Sequence, residues 1–217
     1  MTSGFQNTKQ ENMKFKNPLL ATAFLLVMSC TAKKTDTSQP GEHEHQDSSL
    51  NYADSVNAGS IPVDTLKRSP IRVAMANVGN NHVHIRYGSP GVRGRILWGG
   101  LVAYDQVWVT GAHQATAIYF SKDVIIGEKK IRAGKYAFFT IPGKETWTLI
   151  INKNWNQHLA DKYSQADDLV RVIVTPKAID KPVQRLTYSI ESKSATEGAV
   201  LVQWEKIKIV LPFKNEN

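Results

Sequence analysis

Gly79-Asn80-Asn81-His82-Val83-His84-Ile85-Arg86-Tyr87 decides how this chain folds. From Val83 to Tyr87 apolar and polar residues alternate, so one face of an extended segment is apolar and the other is polar. Gly79-Asn80-Asn81 is a hairpin signal, because glycine and asparagine accept the positive φ that tight hairpin turns need. A half-buried strand entered through a tight turn points to an antiparallel sheet.

The same texture extends in both directions. After Leu66, short runs rich in Val, Ile, Tyr, Phe, Trp and Thr are separated by Gly, Pro, Asn and Asp. Strands are expected near 70–77, 82–88, 115–121, 123–132, 134–141, 146–152, 169–176, 184–191, 199–205 and 207–213. A second turn is expected at Ala133-Gly134-Lys135. Only Asn152 to Asp168 reads as helix or loop. Many closely spaced strands without a long amphipathic helix predict an all-β, antiparallel β-sandwich of jelly-roll-like form over residues 67–217.

The N-terminal part has a different character. Met13-Lys14-Phe15-Lys16 is basic, and an apolar run from Leu19 to Met28 ends at Ser29-Cys30. A basic start, a short apolar run and a small residue before the cut form an export-signal pattern, placed here at residues 1–29 with Met13 as a second candidate initiator. The run is too short to cross a bilayer, which takes ~20 residues. Val27-Met28-Ser29-Cys30 resembles the lipobox of bacterial lipoproteins, in which the cysteine becomes the acylated first residue. Cys30 is the single cysteine of the chain. No internal disulfide can form, and lipidation is the use expected for it. The expected address is the cell envelope, with the membrane as a partner through the acylated cysteine. Residues 30–66 are polar and are expected to form a flexible tether. The histidines in His43-Glu44-His45 read as part of that solvated spacer.

The formal net charge is +8, but no block of five basic residues occurs, which argues against nucleic acid as a partner. Ser89 and Ser121 do not lie in a Gly-x-Ser-x-Gly nucleophile elbow, so a serine hydrolase is not indicated. Glu128 and Glu145 fall in expected turns and make no carboxylate pair of the glycosidase kind.

A longer constellation carries a resemblance. Ser89-Pro90-Gly91-Val92-Arg93-Gly94-Arg95 leads to Trp98-Gly99-Gly100-Leu101-Val102, Tyr104 and Trp108-Val109-Thr110-Gly111-Ala112-His113-Gln114-Ala115-Thr116. Phe139-Thr140-Ile141-Pro142-Gly143, Trp147-Thr148, Asn152-Lys153, Asp168 and Arg171 follow. From about Ser69 to Phe213 the order of these motifs resembles an uncharacterised family, domain of unknown function 2911. The resemblance implies a β-rich domain and no particular activity. The family more commonly shows Arg, Asn and Glu at the positions held here by Val109, His113 and Gln114.

Two kinds of site are suggested. His82 and His84 lie two apart on a strand and face one way. With His113 as third ligand and His158 as fourth ligand or proton-transfer group, they could hold zinc or a similar divalent transition metal. Alternatively, Arg95, Tyr104, Trp108, Thr110, Gln114 and Trp155 could line a binding surface for a small molecule or glycan. Loop aromatics offer stacking faces, and Arg93-Gly94-Arg95 could hold an anion, since guanidinium groups clamp carboxylate or phosphate. Arg95 could equally pair with an acid such as Asp168 to fix a loop. Three functions therefore stand side by side. The first is a tethered binding module, the second a metal-dependent envelope enzyme using His82, His84 and His113, and the third a structural envelope protein with a protein partner. Oligomeric state is not legible in the sequence.

Overall fold

The computed structural model describes residues 48–216, and the lipidation candidate Cys30 lies outside them. After helix α1 (Ser48–Ala58) come ten strands: β1 (Ile71–Val78), β2 (Asn81–Gly88), β3 (Ala117–Phe120), β4 (Val124–Ile126), β5 (Lys129–Ile131), β6 (Gly134–Pro142), β7 (Trp147–Asn152), β8 (Asp168–Val174), β9 (Lys177–Ser192) and β10 (Glu197–Asn215). They form two antiparallel sheets, ordered β1-β2-β3-β6-β7-β8 and β5-β4-β10-β9. The chain is an all-β sandwich.

The β1–β2 hairpin starts where the alternation places it. Val78 pairs with Asn81 across a two-residue turn. Only Gly79 of the turn pair has positive φ, at 56°, and that suits a turn with glycine first. A Cβ on Gly79 would also lie 2.0 Å from the Ala195 carbonyl oxygen, so the second sheet reaches this turn. Along β2, Val83, Ile85 and Tyr87 are buried. They meet Ile118, Phe120, Phe138, Leu149 and Ile151 of their own sheet and Leu186, Tyr188, Val200, Val202, Leu211 and Phe213 of the other, forming one continuous core.

Four expectations change in detail. The segment 123–132 is a hairpin, β4 and β5, turned at Gly127 with φ 60°. The expected turn at 133–135 is a corner: β5 belongs to one sheet and β6 to the other. The expected strands 199–205 and 207–213 are one strand, β10. Register shifts between Gln203 and Ile207, with Glu205 at φ 53°, bend it without ending it.

The fourth concerns the expected tether, which does not extend to residue 66. From α1 to Arg68 the chain forms a strap against β9. Ala53 and Val56 are buried. The Asn57 side chain donates to the Arg185 carbonyl and the Thr187 hydroxyl, and accepts from the Arg185 amide. Beyond it, the fully buried Arg185 guanidinium donates to Asp64 Oδ1 at 2.7 Å and to the carbonyls of Leu66, Arg68 and Ser89. The strap, most of which reads as a solvated spacer, thus supplies one carboxylate, Asp64, and two backbone carbonyls to a buried charge.

Candidate functional site

The long connection from β2 to β3, residues 89–116, builds a site over one end of the sandwich. It begins with Ser89-Pro90-Gly91, which is stitched to β9. The Ser89 hydroxyl donates to the Leu186 carbonyl at 2.7 Å, and the amides of Leu186 and Val92 donate to Pro90 and Gln184 carbonyls. Arg95 then folds back and donates from Nε and Nη2 to the carbonyls of Val92 and Gly91. It fixes its own loop through backbone acceptors. Asp168, the acid considered for it, is held instead by Arg171, Tyr163 and Asn152. Burial and the Asp168 carboxylate raise the Tyr163 phenol above its usual value.

Further along, Trp98, Trp108, Trp147 and Trp204 close on one another. Trp108 and Trp204 stack at 5.7 Å and 20°, and Trp98 meets the other three edge-on at 4.9–6.0 Å. Trp98 Nε1 donates to Glu205 at the β10 bulge. Trp98 and Trp108 are thus packed against the core, and are not free stacking platforms. Buried Thr110 donates to Thr140 Oγ1 at 2.9 Å, and its carbonyl accepts from the Tyr188 and Thr116 hydroxyls. Full burial pushes the Tyr188 phenol well up, so it remains a donor.

Between these parts lies a cavity of about 410 Å³. Trp108, Trp204, Leu101, Val102 and Val109 give it apolar walls, while Lys67, Arg93, Arg95 and His113 bring the positive and titratable groups. No Asp or Glu lines it. Six non-glycine residues among those described have positive φ; Arg93, His113 and Leu159 line this cavity, and Thr110 lies between the lining residues Val109 and Gly111. Left-handed backbone at residues with a Cβ costs energy and gathers where surrounding structure enforces a particular shape. Here the enforcement is visible: Leu159 N donates to His113 O at 2.7 Å, and two hydroxyls hold the Thr110 carbonyl. Glycine is required at position 88, where a Cβ would sit 2.3 Å from the Ala112 oxygen.

The other residues singled out in the sequence scatter around this cavity. Tyr104 packs on Gly99 and lines a separate depression of about 320 Å³ with Trp98 and Trp147. Gln114 is exposed and pairs through its backbone with His158. Trp155 lies beneath the Lys135 ammonium, 3.7 Å from its ring centre, and does not line the cavity. A larger groove, about 510 Å³, runs beside Gly127–Lys129 and Gln165–Arg171, but Asp168 and Arg171 there are already committed to each other.

The four domain histidines do not converge. His82 and His84 do share the outer face of β2, where His82 Nδ1 lies 2.9 Å from Asn77 Oδ1 and His84 sits between Met75 and Tyr119 on the neighbouring strands. The His113 loop meets β2 at Gly88, roughly 13 Å further along the strand at its usual rise. His158 pairs with Asp161 at 2.9 Å. Among the described residues no three His, Cys, Asp or Glu side chains are grouped to hold a metal ion. Burial, and then the positive charges of His82, Lys135 and Arg86, lower the pKa of His84.

Residues 69–213 match the model of a family described as a protein of unknown function, DUF2911. The chain belongs to the DUF2911 family. No curated protein and no solved structure matches it. The matched region holds most of the cavity, including Arg93, Arg95, Trp108, His113 and Trp204, whereas Lys67 and Asp64 precede it. The Arg93-Gly94-Arg95 run was legible as an anion clamp, and both arginines line the cavity, but Lys67, Leu101 and Trp204 were not foreseen beside it: Lys67 and Trp204 are 137 positions apart and share no local signal.

Proposed function

We propose that this DUF2911 protein is a membrane-anchored envelope lipoprotein whose sandwich captures a small molecule in the cavity beneath the 89–116 loop. One observation carries the binding reading: a preformed concavity of ligand size, lined by apolar side chains with a few charged ones, and surrounded by enforced left-handed backbone. The anchoring half rests on the export-signal pattern ending at Cys30. The described residues contain no helix long and apolar enough to cross a membrane.

A thermal-shift screen of small acids, sugars and neutral aromatics tests the binding half. A ligand present at a hundred times its Kd stabilises the fold by about 2.7 kcal/mol. The expected hit raises Tm in the native protein and raises it less in Leu101→Trp, which puts a bulkier side chain at the cavity wall. Equal shifts in both proteins, or none in either, would refute it. For the anchor, Cys30→Ser should abolish labelling by a fatty-acid analogue and detergent-phase partitioning. Persistent labelling of that variant would count against the assignment.

A further inference from the structure

We propose that the cavity selects an organic anion: one negatively charged group on a flat apolar body. The inference rests on the binding reading above and specifies its ligand.

The first support is charge. Three permanent cations, Lys67, Arg93 and Arg95, line the cavity with no carboxylate among the lining residues. Lys67 and Arg93 have no ion-pair partner among the described residues. Arg95 uses two guanidinium donors on backbone carbonyls, which orient the group, and it too has no ion-pair partner among the described residues. Like charges held together at a concave surface repel one another, and an anion bound among them relieves that repulsion.

The second support is shape. Half-buried Trp108, backed by the stacked and buried Trp204, borders the cavity and gives it an apolar aromatic wall. The charged end of the ligand is thus assigned to the Lys67 and Arg93 rim, and its ring to the Trp108 side. Lys67 comes from the strap, which precedes the region matched by the family.

The test is calorimetric titration of the full chain with 2-naphthoate, 2-naphthyl phosphate, neutral 2-naphthalenemethanol and acetate. At least one naphthyl anion should bind at 1:1 and at least tenfold more tightly than the alcohol, and acetate should not bind measurably. The stronger of the two anions identifies carboxylate or phosphate as the preferred group. Arg93→Ala and Lys67→Ala, both at exposed positions, should each weaken the anion about tenfold and leave the alcohol unchanged. An alcohol that matches the anions, with both weakened in Leu101→Trp, would overturn the anion assignment while leaving the cavity as a binding site. Absence of binding by every naphthyl compound would overturn the assignment outright. Anion affinity unchanged in both cation variants would do so as well.

Discussion

Asp64→Ala isolates the strap, because it removes one carboxylate and leaves the sandwich strands untouched. The Arg185 side chain is 0% exposed and that of Asp64 is 4% exposed, at 2.7 Å separation. Removing one partner of a buried ion pair costs about 3–5 kcal/mol, chiefly by stranding the other charge. Arg185 keeps three carbonyl acceptors, at Leu66, Arg68 and Ser89, so the lower end, about 3 kcal/mol, is expected. For a domain of this size each kcal/mol moves Tm by about 2–4 °C, which predicts a fall of about 6–12 °C. Urea denaturation followed by circular dichroism should show a lower midpoint with an unchanged m-value. The double variant Asp64→Leu with Arg185→Met should recover much of the loss, since no orphan charge then remains. A loss below about 1 kcal/mol in Asp64→Ala, or a double variant worse than the single one, would refute the strap as a buried electrostatic clasp.

Three further outcomes are expected. His84 should titrate below its usual 6.5 in proton NMR, because burial and three neighbouring cations disfavour its charged form. The unfolded chain then takes up more protons than the native one as pH falls below about 6.5, so stability drops with falling pH, and His84→Gln should remove that part of the slope. A His84 titration at or above 6.5 would contradict this. Gly88→Ala should cost about 1–3 kcal/mol by forcing a methyl group against the Ala112 carbonyl, and a denaturation midpoint equal to wild type would show that the contact relaxes freely. Trp204→Phe should stay within about 1 kcal/mol of the native protein. It loses indole volume but also removes an unpartnered buried N–H, so a loss above 3 kcal/mol would mean the donor is satisfied in solution.

The sandwich was legible where alternation and turn chemistry agreed. The β1–β2 hairpin follows from Gly79 and the Val83–Tyr87 pattern within a residue or so. Where bulges intervene, alternation breaks although the strand continues, and so β10 reads as two strands. The strap was not legible, because its helix is short and only weakly amphipathic, and is docked by polar groups whose partners lie more than 100 positions away. Arg185 shows the difficulty: Leu186 and Tyr188 flank the inward face of β9, so the arginine reads as solvent-facing, yet the strap covers it. Of the proposed binding residues, Arg95 and Trp108 line the cavity, while Tyr104, Gln114 and Trp155 lie elsewhere. A loop of 28 residues carries chemistry-bearing side chains to different sides of the fold, and local sequence does not say which side each takes. The histidines fail to gather for a related reason: strand spacing fixes that His82 and His84 face alike, but nothing local fixes where His113 goes.

The four clustered indoles have an optical consequence. With neighbouring rings 4.9–6.5 Å apart, Trp98, Trp108, Trp147 and Trp204 are close enough to exchange excitation energy, leaving Trp155 as the outlying fifth. Light absorbed anywhere in the quartet reaches the two rings that border the cavity. The protein therefore carries its own fluorescent reporter, in which an occupant beside Trp108 or Trp204 alters the emission of all four, and exciton bands in near-ultraviolet dichroism register whether the quartet is intact.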